Sequence, residues 1–229
     1  MKTYVVNLDR NPERLSFMRE QLGRIGVPFE RVSAVYGKAL TPAEMRERFA
    51  GVRSFIASKK RMSASEIGCA LSHLKIYRKM VEEDVPVALV LEDDAALGPE
   101  FADNLREAVA FLDPARPQVL LFSGHGITEP EGRRGIVGIE SAWCTDAYCV
   151  TQAAAKLILK ANFPVITVAD SFKRWRRRFG LELYRAFPIA VRQEDVAFGS
   201  DIQILPKSNF LVRNLMWLAD WALWKVTGR

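Results

Sequence analysis

The run Val87-Ala88-Leu89-Val90-Leu91 ends in Glu92-Asp93-Asp94. Three adjacent carboxylates repel one another unless a cation or hydrogen-bond donors hold them. A hard divalent ion such as Mn2+ or Mg2+ is suited to these oxygens and can bridge them to a diphosphate. If the chain stays extended, Glu92 and Asp94 face one way and Asp93 the other. Glu92 and Asp94 are therefore the candidate metal ligands, with Asp93 beside them as a cofactor-binding candidate. The competing account is a solvated turn that caps the helix after Pro99. Open α/β sheets bind ligands at the carboxyl ends of their strands, so the segment points to chemistry on a nucleotide-activated substrate.

Two further stretches carry polar groups suited to such a substrate. In Asn7-Leu8-Asp9-Arg10-Asn11-Pro12-Glu13-Arg14 a first strand opens into a polar loop and a helix N-terminus, a ready anion site. Arg10 and Arg14 can pair with phosphate or hold a base there, or form an exposed, salt-bridged first turn. In Gly68-Cys69-Ala70-Leu71-Ser72-His73 a glycine inside a helix costs about 1 kcal/mol relative to alanine, which points to close packing or to a ligand near the backbone. Ser72 and His73 are cofactor-binding candidates, although a lone helical histidine is more often structural. His125, in Ser123-Gly124-His125-Gly126, lies in a loop able to cover a substrate.

The elements that must position these groups follow from periodicity and punctuation. Thr3 to Leu8 is predicted to be a buried strand. Asn11 is expected to cap a helix with Pro12 at its first position, its apolar face being Leu15, Met18, Leu22 and Ile25. Phe29 to Val35 is a second strand. Thr41-Pro42-Ala43-Glu44 and Ser63-Ala64-Ser65-Glu66 are capping boxes. The second opens a helix with Ile67, Ala70, Leu71, Leu74, Tyr77 and Val81 on one face. Gly51 to Met62 is basic and expected to be a loop. Pro99 opens a helix to about Phe111, Gln118 to Phe122 is a strand, and Ser123 to Gly138 is a glycine-rich loop. Ala147 to Thr151 is a strand, followed by a helix from Gln152 to about Ala161. Alternating strands and helices predict an α/β fold with a mostly parallel central sheet. The last 60 residues are less regular and are expected to form a subdomain over one end of the sheet.

The chain has 229 residues, 49% of them hydrophobic and 26% charged, which suits one globular domain rather than a disordered or fibrous chain. Cys69, Cys144 and Cys149 lack metal-site spacing and fit reduced, buried thiols of a cytoplasmic protein. No signal-peptide pattern follows Met1 and no apolar run reaches the length of a membrane span. A net charge of +6 favours an anionic partner: a nucleotide, a membrane surface or nucleic acid.

Four ordered elements carry a family resemblance over about residues 3 to 205. They are Val6-Asn7-Leu8-Asp9-Arg10-Asn11-Pro12-Glu13-Arg14, Phe29-Glu30-Arg31-Val32-Ser33-Ala34-Val35-Tyr36-Gly37, Ser65-Glu66-Ile67-Gly68-Cys69-Ala70-Leu71-Ser72-His73 with Val90-Leu91-Glu92-Asp93-Asp94, and Thr145-Asp146-Ala147-Tyr148-Cys149-Val150 with Ala154-Ala155-Lys156-Leu157. Pro164 to Asp170 adds a proline-to-aspartate element. Together they resemble glycosyltransferase family 25, in particular its bacterial lipooligosaccharide and lipopolysaccharide-core galactosyltransferases. The resemblance implies a GT-A-like fold and a UDP-sugar donor, often UDP-galactose. It implies inversion at the anomeric carbon and an envelope oligosaccharide as acceptor. It makes Glu92-Asp93-Asp94 similar to the GT-A metal motif and Asp170 the candidate base. Asp146 departs from the expected pattern and is a second catalytic candidate, with Glu194 and Asp195 behind it. Asp201 is a late candidate for substrate or metal. Lys59-Lys60-Arg61 can add positive charge near the diphosphate.

Two features bear on location. Lys173-Arg174-Trp175-Arg176-Arg177-Arg178 can meet acidic headgroups or glycan phosphates, or be a solvated helix face; no nucleic-acid recognition fold accompanies it. Phe210 to Arg229 places Trp217, Trp221 and Trp224 at helical spacing. Either this tail, set off as residues 206–229 from a catalytic domain of residues 1–205, lies on a membrane surface, or it docks on protein. The expectation is a cytoplasmic enzyme attached peripherally to the inner face of the membrane, acting on a lipid-linked acceptor. A nucleotidyltransferase and a non-catalytic envelope-binding protein are the alternatives.

Overall fold

The computed structural model describes residues 1–58, 61–129 and 131–194. Along the chain run β1 (Lys2–Asn7), α1 (Pro12–Arg24), β2 (Glu30–Ser33), a 3-10 turn (Gly37–Ala39), α2 (Pro42–Arg48), α3 (Gly51–Ser58) and α4 (Ala64–Glu82). There follow β3 (Val87–Glu92), β4 (Ala95–Leu97), α5 (Phe101–Phe111), β5 (Gln118–Leu121), β6 (Gly135–Gly138), β7 (Ala147–Thr151) and α6 (Gln152–Asn162). Last come α7 (Phe172–Phe179), β8 (Glu182–Phe187) and β9 (Val191–Gln193).

Seven strands form one sheet in the order β2-β1-β3-β7-β5-β8-β6, and β4 pairs with β9 apart from it. Parallel pairing links β1 to β2, β1 to β3 and β5 to β8. Only β7 and β6 run against the common direction. The result is α/β and GT-A-like, with a mostly parallel sheet. β7 interrupts it because it enters from the active edge.

Side-chain alternation divides the core. Ala88, Val90, Tyr148 and Val150 pack toward α4, α6 and α7. Val87, Leu89, Leu91 and Cys149 pack toward α1 and α5. Both faces of β3 are thus covered, and a strand with two covered faces is apolar throughout until it emerges. It emerges at Glu92. Register then aligns the chemistry: Val6 lies opposite Glu92 on β1, Leu91 lies opposite Ala147 on β7, and the Glu92 N–H donates to the Asp146 carbonyl at 2.8 Å.

Both capping boxes form, at Thr41–Glu44 and Ser63–Glu66. Asn11 occupies the N-cap of α1, but its side chain makes no capping hydrogen bond there. Two expectations of irregular structure are corrected. Gly51 to Ser58 is helical, because Val52, Phe55 and Ile56 recur at a spacing that gives a short helix one apolar side. The glycine-rich loop contains β6, an edge strand on β8. Within the last 60 residues, α7 packs on the sheet and β8 joins it, while residues 195–229, on which the expected C-terminal subdomain mostly falls, lie outside the described residues. The boundary at 205 and the tryptophan-bearing tail lie outside the described residues, as do Lys59, Lys60, Asp195 and Asp201.

Gly68 resolves its own ambiguity. A Cβ on it would stand 2.5 Å from the Val35 carbonyl oxygen and 2.6 Å from the Gly37 nitrogen. The helix therefore touches the backbone after β2 directly. Ser72 secures the same crossing, accepting from the Val35 N–H at 2.8 Å and donating to the Gly68 carbonyl at 2.7 Å. Gly68→Ala should lower stability by about 1–3 kcal/mol, since backbone must move. Gly23→Ala in α1, where nothing lies within 4 Å, should gain up to about 1 kcal/mol. Thermal denaturation of both variants checks this, and equal midpoints would refute the packing account.

Candidate active site

The carboxyl ends of β1 and β3, the chain after β2 and one face of α4 open into one cleft. Leu8, Arg10, Ser72, His73 and the three acids of Glu92-Asp93-Asp94 line it. The chain turns at Asp93 and Asp94 instead of continuing as a strand, so simple alternation no longer sets the acids' directions. Glu92 keeps the α4 side of the sheet, whereas Asp93 and Asp94 both reach Arg14 of α1. The guanidinium Nη1 lies 3.1 Å from Asp93 Oδ1 and 3.4 Å from Asp94 Oδ2. The two residues that share a partner are therefore Asp93 and Asp94, not Glu92 and Asp94.

Each acid is held differently. Asp93 Oδ2 accepts from Asn7 Nδ2 at 2.7 Å, and burial pushes its carboxyl above the usual range. Asp94 Oδ2 accepts from Gln193 Nε2 at 3.0 Å. Its Oδ1 is buried and finds no hydrogen-bond partner among the described residues. Burial, then the charge of Glu92, push Asp94 up to about 7. Glu92 feels burial most, but the His73 hydrogen bond and charge, Thr145 and Arg14 outweigh it and leave its carboxyl lowered. Its Oε1 lies 3.3 Å from His73 Nε2 and accepts from the Thr145 hydroxyl.

His73 uses both ring nitrogens. Nδ1 lies 2.7 Å from the Tyr148 hydroxyl, which lies 2.7 Å from that of Tyr77. This buried chain fixes the imidazole and, through it, Glu92. Asp146, buried and pushed upward by that burial, pairs with His125 Nε2 at 3.0 Å. Asp170 is half-buried and accepts the Cys144 N–H at 3.0 Å. Arg10 is exposed and places its guanidinium 4.4 Å from the Tyr36 ring centroid at the cleft rim.

The residues fit a hard divalent ion. Asp94 has an orphaned buried oxygen beside two more carboxylates, and its carboxyl is raised first by burial and then by the charge of Glu92, both of which a cation would offset. Two groups of closely placed donors flank it, Cys69–His73–Glu92 and His125–Cys144–Asp146. Burial pushes the Cys69 thiol well up and the Cys144 thiol up to about 12, so oxygen and nitrogen are the ready donors.

The fold thus brings together Asn7, Leu8, Arg10, Arg14, Ser72, His73 and the three acids, with Asp146 and Asp170 along the same edge. Arg14 and Ser72 are engaged with protein partners inside the wall. Sequence reasoning missed Gln193 and Tyr148. Gln193 carries no local signal, because β9 reaches Asp94 only by pairing with β4. Tyr148 was visible as a strand aromatic, but its hydroxyl's role depends on α4.

The profile of Glycosyltransferase family 25 (LPS biosynthesis protein) matches residues 1–172. A "Glycosyltransferase 25 family member" of Aedes aegypti is 31% identical over 169 residues, which is 69% of this chain and 27% of that protein. Another so named, from Anopheles gambiae, is 32% identical over 170 residues, 69% and 28% of the two chains. "Procollagen galactosyltransferase 2" of Homo sapiens is 26% identical over 182 residues, 74% and 29%. The chain spans less than a third of the length of these relatives.

The raised Asp94 carboxyl makes the metal-free protein pH-dependent. Folded, Asp94 keeps its proton up to about pH 7, whereas an unfolded aspartate releases it near pH 3.9. The folded state holds more protons between these values, so stability falls as pH rises through that window. Glu92 contributes in the opposite sense, adding stability above the unfolded glutamate value. Asp94→Asn should flatten the decline and be more stable than wild type at pH 8, by about 1–4 kcal/mol. Urea unfolding at pH 5 and pH 8 in chelator measures this. An unchanged slope would remove the account of the acid cluster.

Proposed function

Because the chain belongs to glycosyltransferase family 25, we propose that it transfers a hexose, galactose from UDP-galactose, with inversion to a hydroxyl of a lipooligosaccharide or other envelope glycan. The observation that carries this reading is the orphaned oxygen of Asp94 beside Glu92, at the end of a buried strand and in the wall of a cleft.

Glu92 and Asp94 would hold Mn2+ or Mg2+, which supplies neutralisation of the charge on a departing diphosphate. Asn7 and Arg14 hold Asp93 and so keep the acid-bearing turn in one shape before substrate arrives. His73, fixed by Tyr148, orients Glu92 as an outer-shell partner does. Arg10 and Tyr36 offer a cation and a ring at the side of the cleft where a nucleoside diphosphate would lie. Asp170 takes the proton from the acceptor hydroxyl as it attacks the anomeric carbon opposite the leaving diphosphate. Asp146, the second candidate, is committed to His125 and supports the acceptor side.

The acceptor is lipid-linked in this reading, and the enzyme works at the cytoplasmic face of the membrane. The support is charge: α3, α6 and α7 contain no acid, while Arg53, Lys156 and Lys160 line a cavity beside exposed Phe179. Five more cations lie on α7, where Phe172 and Trp175 face inward. Such a face attracts anionic headgroups. No helix among the described residues is long and apolar enough to cross a membrane.

Calorimetric titration with UDP-, GDP- and CMP-sugars, with and without Mn2+, tests the proposal. A UDP-sugar should bind in a metal-dependent way, and Glu92→Gln or Asp94→Asn should cost at least about 100-fold in turnover with the thermal transition retained. Absence of binding under every condition would defeat the transferase reading.

A further inference from the structure

Trp143 is 69% exposed, more than any other large apolar side chain among the described residues. Its neighbours are the opposite. Cys144 donates its N–H to Asp170, Thr145 donates to Glu92, and Asp146 pairs with His125. Cys144 holds φ +67, a left-handed backbone that a non-glycine residue seldom adopts and that persists where surrounding bonds over-determine it. The segment is thus fixed to the catalytic edge residue by residue, yet presents an indole to water. Three residues separate Trp143 from Asp146, so their Cα atoms lie within about 11 Å.

Beside this segment lies a second cavity, lined by His125, Glu129, Ile189, Arg192 and Gln193. It adjoins the donor cleft, since Gln193 lines both and donates to Asp94. Its polar groups are mixed and pre-set: Asp146 fixes the His125 ring, and Glu129 Oε1 accepts the Ile189 N–H at 2.9 Å. Trp143 does not line the cavity, but it lies three positions before Asp146, which holds the lining His125. Mixed donors and acceptors within reach of an exposed ring match a ligand with hydroxyls on its edges and an apolar face.

We infer that this cavity is the acceptor subsite and that it takes a neutral pyranose, with Trp143 stacked on the sugar's C–H face and His125, positioned by Asp146, hydrogen-bonded to its hydroxyls. This rests on the glycosyltransferase reading. It adds the substrate class of the acceptor end and two residues that recognise it. Ring stacking is worth about 0.5–1.5 kcal/mol, so the indole sets affinity by roughly threefold to tenfold. His125 selects hydroxyl geometry.

The test is saturation-transfer NMR on the full chain in the presence of UDP. The probes are the methyl β-glycosides of galactose, glucose and N-acetylglucosamine, together with lactose. At least one should bind, with its ring C–H protons most strongly saturated. Trp143→Ala should weaken it about threefold to tenfold, Trp143→Phe should restore most of the affinity, and His125→Ala should weaken it while changing the rank order of the four sugars. Trp143→Ala should leave stability within about 0.5 kcal/mol, as expected for an exposed side chain. No binding of any probe, or equal affinity in wild type and Trp143→Ala, overturns the inference. Titration of the same samples with UDP-galactose and Mn2+ separates the two readings. Donor binding without glycoside binding defeats only the subsite, whereas absent donor binding defeats the transferase itself.

Discussion

Three carboxylates follow one another at the point where a strand buried on both faces reaches the surface, and their mutual repulsion sets the terms for the surrounding structure. Desolvation alone would drive all three to the neutral form. The fold instead treats them separately. Glu92 is kept charged by His73 and Thr145, Asp93 is satisfied by Asn7 and Arg14, and Asp94 is left partly unsatisfied. The partners come from β1, α1, α4, the segment before β7 and β9, so most of the architecture converges on this one turn.

That convergence explains features that look unrelated in isolation. Gly68 and Gly37 allow α4 to lie directly on the chain after β2, and this close approach carries His73 to the end of β3. The antiparallel entry of β7 brings Thr145, Asp146 and Trp143 to the active edge at its start, whereas a parallel strand would have brought its end. The small β4–β9 ladder is short, yet it delivers Gln193 to Asp94 and forms the wall between the two cavities.

In the proposed reading the site is asymmetric in polarity: the donor side would be the cleft that gathers Glu92, Asp93 and Asp94, and the acceptor side the cavity where Asp146 pairs with His125. A transferase benefits from this division, because charge develops on the leaving diphosphate and the attacking hydroxyl needs only a proton acceptor and a fixed position. Arg53, Lys156 and Lys160 line a different cavity from the acids of the cleft, so in the proposed reading the basic groups of α3 and α6 serve a separate partner.

The local chemistry was legible in the sequence wherever it depended on neighbours in the chain. Capping boxes, the apolar run of β3, the helical spacing of α4 and the order of the family's elements all rest on residues a few positions apart, and they made Glu92, Asp93, Asp94, His73, Asp146 and Asp170 candidates; the fold lines one cleft with the first four. What depended on distant partners was not legible. The alternation that set Asp93 opposite Glu92 and Asp94 did not foresee the turn at Asp93, where Arg14, some 80 residues earlier, meets both aspartates. Arg14 and Ser72 line the cleft, and their bonds to Asp93, Asp94 and the Val35 N–H come from chain too distant for the sequence to show. The strand within the glycine-rich loop and the partnership of Gln193 with Asp94 exist only through pairing with remote strands. Sequence alone determined which chemical groups this protein possesses and the order in which they are delivered. Only the tertiary structure decided which of them face each other, because the repulsion and desolvation of buried charges are settled by neighbours in space.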